Sequence, residues 1–198
     1  MSNRQKRGCL LVMLGLCLVL TAMGMHLAQE QQDSAAGESA QILLEHLDLS
    51  RSVIQIPSES VEPVADTPAM TVKTYMGYDM IGAVRIPSVE INLPVLADWS
   101  YALLDVAPCR YRGSVTGGDL ILMGHNYKSH FTPLHQVSVG ADVEFEDVNG
   151  QVYAYRVAEI QYLHKSEEDK LASAYPLTLF TCTAGGQKRI VLFCEAAE

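Results

Sequence analysis

The stretch Leu177-Thr178-Leu179-Phe180-Thr181-Cys182-Thr183-Ala184-Gly185-Gly186-Gln187-Lys188-Arg189-Ile190-Val191-Leu192-Phe193 decides how the rest of the chain is read. Two short apolar, β-branched runs flank a Gly-Gly turn signal, which predicts two antiparallel strands joined by a loop over residues 183–188. Cys182 closes the first strand and Arg189 opens the second. A loop that closes the hairpin symmetrically sets these two residues opposite one another, with Cβ atoms about 5 Å apart. A guanidinium beside a thiol favours the thiolate, which is the nucleophile. The same guanidinium offers hydrogen bonds to an oxyanion forming on an attacked carbonyl. Taken alone the pair has a plainer explanation, a small core hydrophobe beside a solvated edge charge.

A second stretch changes the balance. Residues 119–123 form an apolar strand, followed at once by Gly124-His125-Asn126. The glycine lets backbone or substrate come close. A strand-end histidine, in a chain with a strand-end cysteine, is a candidate general acid/base for acyl transfer. The other histidines, His26, His46, His130, His135 and His164, read as surface-loop residues, although His130 and His135 lie close to His125 in sequence.

Working outward, the region from about Tyr78 is a series of short apolar runs split by turn residues. Strands are expected over residues 81–87, 91–96, 119–123, 142–146 and 152–163, with Asn149-Gly150 as a hairpin signal between the last two. One or two helical turns fit residues 100–106, a short helix or turn fits 131–137, and a charged insertion spans 166–172. About 120 residues of short, regularly spaced strands with few helices imply a mainly β fold, a closed or partly open barrel.

The N-terminus is of another kind. Arg4, Lys6 and Arg7 precede residues 8–28, which contain no Asp, Glu, Lys or Arg. About 20 such residues span a bilayer as a helix. Basic residues before the run, and Glu30, Asp33 and Glu38 after it, place the N-terminus in the cytoplasm and the remainder outside. A cleaved signal peptide is the alternative, with small residues at Ser34-Ala35-Ala36, although its apolar core is usually shorter. Either way the rest of the chain crosses the membrane. Three segments follow: a basic tip and transmembrane anchor at 1–28, an extracellular linker at 29–75 with a short amphipathic helix near 38–50, and a catalytic domain at 76–198.

Beyond residue 28 there are 11 Lys and Arg against 23 Asp and Glu, a net charge of −12. Nucleic acid is therefore excluded as a partner, because phosphate binding needs a net positive footprint. Cys9 and Cys17 lie in the apolar run, and Leu16 stands where a lipoprotein attachment site would want a small residue. Cys109, Cys182 and Cys194 remain, an odd number that leaves a reactive thiol or no disulfide. Their spacing does not decide whether Cys109 and Cys194 pair. No Cys/His cluster has zinc-site spacing.

Gly124-His125-Asn126, Thr178-Leu179-Phe180-Thr181-Cys182 and the strand-initial Arg189 together resemble the signature segments of the sortase family, membrane-anchored cysteine transpeptidases of Gram-positive cell surfaces. Residues 82–96 and Tyr111-Arg112-Gly113-Ser114 are also similar to family sequence, so the resemblance covers about residues 78–195. It implies a closed eight-stranded barrel, with Cys182 as nucleophile, His125 as general acid/base and Arg189 as the residue that positions substrate and stabilises the oxyanion. Thr181 and Asn126 match positions that shape the substrate pocket. No metal and no cofactor are implied. The implied partners are surface proteins bearing an LPxTG-like sorting signal and an amine acceptor, either a lipid-linked peptidoglycan precursor or a pilin lysine.

The 183–188 loop is short, no Asp-Pro-Trp/Phe lid precedes the domain, and no acidic cluster matches the calcium site of some class A members. The stretch Asn126-Tyr127 with His130-Phe131 leans toward class B or D. Two rival readings have less support. An L,D-transpeptidase would want a Ser-x-Gly-Cys motif, which is missing. A catalytically silent binding module on the same scaffold is disfavoured by the intact Cys, His and Arg.

Overall fold

The computed structural model describes residues 3–53, 70–172 and 174–197. The chain divides into two compact units, one ending at Ala35 and one beginning at Ala36. Helix α1 (Asn3–Val53) runs through both. In the first unit the residues from Met13 to Ala28 are exposed, and α1 contains a segment long and apolar enough to cross a membrane. The connector expected from residue 29 is thus helical as far as Val53. Its Gln, Glu, Ala and Leu are good helix formers, and no proline intervenes before Pro57. The later part of the expected linker, residues 54–69, lies outside the described residues.

In the second unit α1 presents Ala36, Ala40, Leu43, Leu44 and Leu47 to the interior, a spacing that lines one helical face. Ile42, on the neighbouring side of the helix, is 37% exposed. Leu43 and Leu47 pack with Met80, Leu96, Leu104 and Val148. Full burial of a leucine is worth about 1.5–3 kcal/mol, so this part of the helix belongs energetically to the barrel.

The barrel strands are β2 (Tyr78–Ile86), β3 (Ile91–Leu96), β4 (Cys109–Arg112), β5 (Leu120–Met123), β6 (Asp142–Asp147), β7 (Val152–His164), β8 (Leu177–Cys182) and β9 (Lys188–Ala196). A three-residue strand, β1 (Lys73–Tyr75), extends the sheet at β2. The order β2-β3-β4-β5-β8-β9-β7-β6 returns to β2 through Gly82↔Asp147 to Arg85↔Glu144, so eight strands close on themselves. Closure removes the exposed edges that an open sheet would carry. Two junctions are parallel, β3 with β4 and β5 with β8.

Alternation along β8 and β9 sorts the side chains. Leu177, Leu179, Ile190, Leu192 and Cys194 join the barrel interior with Val84, Phe131 and Phe145. Phe180, Val191 and Phe193 form an outer cluster with Ile121, Leu163 and Leu171. Leu171 comes from the β7–β8 connection and covers this outer face. Position 182 shares the parity of Phe180, and position 189 that of Val191, so both point outward.

Candidate active site

The β8–β9 hairpin has the register expected from its sequence. Cys182 pairs with Arg189, after Thr181 with Ile190 and Phe180 with Val191. The turn is tied by Thr183 N–H to Lys188 O (2.8 Å) and Gly186 N–H to Thr183 O (2.8 Å). Gly185 and Gly186 have φ of +83° and +68°, a conformation that glycine adopts at little cost. Cys182 is exposed at the strand end.

Arg189 also faces Leu163 of β7, so its side chain rises between two strands. Its Cζ lies 5.2 Å from the centroid of the Phe180 ring, within cation–π range. Nη1 is buried, has no hydrogen-bond partner among the described residues, and stands 3.9 Å from Glu168 Oε2. Glu168 is carried by a 3-10 turn (Glu168–Leu171). That connection is held by its own contacts: Glu167 accepts from His164 N–H (2.8 Å) and pairs with Lys170 Nζ (2.6 Å). The guanidinium is therefore fixed by an aromatic face and a distant carboxylate, with donors left over.

His125 arrives by a different route. The parallel pairing of β5 on β8 sets Met123 beside Phe180, and Gly124 N–H donates to Phe180 O at 3.2 Å. The last paired residues are Met123 and Phe180, so His125 leaves β5 at the end of the sheet where Cys182 closes β8. Gly124 is required there by a neighbouring side chain, since a Cβ on it would stand 2.6 Å from Phe131 Cδ2. Phe131 N–H in turn donates to His125 O (3.2 Å), so the loop folds back on the strand exit.

Around the imidazole stand groups that the sequence reading did not single out. His125 Nε2 is 3.5 Å from Asp105 Oδ1, and Tyr127 Oη donates to the same oxygen at 2.7 Å. The His125 and Tyr127 rings lie 4.8 Å apart at 34°. Asp105 follows helix α2 (Tyr101–Leu104), whose N-cap Ser100 Oγ accepts from Leu103 N–H at 3.1 Å. Burial lowers the pKa of His125 below its ordinary value, and the Asp105 carboxylate works against that shift.

His130 departs from expectation. It is 1% exposed, with its ring 5.4 Å from that of Tyr127. The reason is the back-folded loop, in which His130 and Thr132 N–H both donate to Tyr127 O (3.0 Å each). His135 stacks on Tyr162, with ring centroids 6.4 Å apart. Asn126 Oδ1 accepts from Thr132 Oγ1 at 2.9 Å, so its carbonyl is committed to the loop. Thr181 has inward parity and is 1% exposed, and its Oγ1 has no hydrogen bond among the described residues. Cys109 and Cys194 are separate buried free thiols in different clusters, so they form no disulfide. Burial pushes each thiol up to about 12.

A closed β-barrel with Cys182 and Arg189 paired at the end of one hairpin, and His125 on the loop leaving the neighbouring strand, carries the groups that acyl transfer through cysteine needs. The comparisons narrow that class. A family model described as the sortase domain matches residues 84–197, more than half of the chain, and the chain belongs to the sortase family.

Solved structures agree in fold. Sortase C1 from Streptococcus suis is 25% identical, with a TM-score of 0.54 over 60% of this chain and 73% of that one. Sortase C of Clostridium perfringens, solved with the C-terminal cell wall sorting motif, is 23% identical, with a TM-score of 0.55 over 61% and 71%. A Clostridium perfringens sortase D5 transpeptidase is 18% identical, with a TM-score of 0.54 over 61% and 80%. No curated protein sequence matches.

Proposed function

We propose that this protein cleaves an LPxTG-like sorting signal through a thioester on Cys182 and passes the acyl group to an amine. The observation that carries the reading is the Cys182–Arg189 pair on the outer barrel face, with His125 leaving the neighbouring strand beside it. Sγ bonds to the carbonyl carbon of the signal's Thr, and the C–N bond to Gly breaks. The proton held by the Cys182–His125 pair passes from the imidazole to the departing amine. An incoming amine then attacks the thioester and gives its proton to the imidazole, and the C–S bond breaks to release Cys182. Arg189, with donors unspent, holds the substrate carbonyl and the developing oxyanion. Thr181 and Asn126 act from behind the pocket, the first under the strand end and the second by holding the His125 loop.

The acceptor amine belongs to a peptidoglycan precursor or a pilin lysine, and the enzyme sits on the cell membrane through α1, N-terminus inside and barrel outside. The test is intact mass of the full chain in detergent after exposure to a sorting-signal peptide. A peptide-sized adduct, cleared by hydroxylamine and lost in Cys182→Ala, is expected. An adduct that persists in Cys182→Ala would overturn the assignment.

A further inference from the structure

We propose that Asp105 is a positioning residue for His125, acting with Tyr127 to hold the imidazole by Nε2 and to favour its charged form. This rests on the reading of His125 as general acid/base. Asp105 lies 20 residues before His125, on the short turn after α2, with no part in the barrel ladder. Its carboxylate nevertheless meets both side chains at one oxygen, Nε2 at 3.5 Å and the Tyr127 hydroxyl at 2.7 Å. The tyrosine hydrogen bond fixes the carboxylate, and the tyrosine ring, stacked at 4.8 Å, fixes the imidazole plane. Tyr127 is itself backed by the buried His130. The imidazole is thus set between a face and an edge, each fixed by the same residue.

The chemistry follows from which nitrogen is occupied. With Nε2–H directed at Asp105, Nδ1 is the nitrogen left for exchange with Cys182 and the amine. In acylation Nδ1 gives its proton to the departing amine and the imidazole becomes neutral. In deacylation it takes one from the incoming amine, and the cation that forms is balanced by the carboxylate. Asp105 matters because burial alone disfavours that cation. Among the described residues, the charged and titratable groups shown against the ring are Asp105 beyond α2 and Tyr127 on its own loop, with His130 behind Tyr127. Of these, Asp105 is the one carboxylate.

The test is Asp105→Asn in the full chain, with His125→Ala and a thermal melt as references. Two readouts are used: the imidazole resonance of His125 against pH, and the pH profile of single-turnover acylation by a sorting-signal peptide. The expected result is a His125 titration moved to lower pH and a rate limb that moves with it. Acylation falls at least about tenfold, a fraction of the 10²–10⁴ that general acid–base catalysis supplies. The melt is unchanged, since Asp105 is half exposed. An unmoved titration overturns the inference, whether or not the rate falls, because a merely structural Asp105 would leave the midpoint in place. Full activity in His125→Ala would instead remove the acid/base reading itself, and the inference with it.

Discussion

Replacing Gly124 by Ala tests whether the residue before His125 is there for the position of the imidazole rather than for the strand. A Cβ at this site would lie 2.6 and 2.7 Å from Cδ2 and Cγ of Phe131, a ring that is fully buried and cannot swing into solvent. Either Phe131 moves or the strand exit does. Overpacking of this kind costs about 1–3 kcal/mol, or a few degrees in Tm at roughly 2–4 °C per kcal/mol for a domain of this size. Because Phe131 N–H holds His125 O, the displacement is passed to the loop that carries His125. A shift of about 1 Å costs roughly 10² in rate. Gly140→Ala is the control. It has φ of +88° and open space around it, so it pays the left-handed penalty of about 1–2 kcal/mol without touching the site. Single-turnover acylation of Cys182 and thermal melts should therefore give similar stability losses but about a hundredfold difference in rate. Wild-type acylation in Gly124→Ala, or an equal loss in Gly140→Ala, would refute the reasoning.

Arg189→Lys keeps the charge but loses the planar fork that sits over Phe180 and that the proposed role uses to hold substrate oxygens. Acylation should fall by about 10²–10³, the usual effect of losing an oxyanion donor. Lys188→Ala, at an exposed position of the opposite parity, should stay near wild type, and the reverse ranking in the same single-turnover assay would discard the role. Brief alkylation of the native chain at pH 8, read by peptide mapping, should modify Cys182 and spare Cys109 and Cys194. Both of the latter are wholly buried, with thiols pushed up to about 12. Labelling of either before Cys182 would contradict the site.

What the sequence disclosed, and what it hid, follows from the range of each interaction. The Cys182–Arg189 pairing was legible because it is set by alternation and a six-residue turn, both local. Strand β4 was not, because Cys-Arg-Tyr-Arg lacks an apolar run and is stabilised by contacts made elsewhere. Arg110 Nε donates to Ala97 O at 2.7 Å, and Tyr111 leans on Phe180 with ring centroids 5.4 Å apart. The length of α1 was hidden too, since a Gln, Glu and Ala composition suits a connector and a helix alike until the barrel supplies something for Leu43 and Leu47 to cover.

That His125 leaves the sheet at the end where Cys182 closes β8 depends on the parallel pairing of β5 with β8, two strands more than 50 residues apart. No local pattern encodes that junction, and only the resemblance to a family put the two residues in one site. Asp105 is a harder case, an acidic residue in a short polar turn with no periodicity and no motif. What gives it meaning is the antiparallel pairing of β4 with β5, Cys109 opposite Met123, which brings the residues before β4 against the loop after β5. Once there, a carboxylate meeting an imidazole and a phenol at one oxygen has an electrostatic effect whether or not it has a sequence signature. The contact of Asp105 with the imidazole is thus a product of topology, and Asp105 itself lies outside the signature segments that resemble the family.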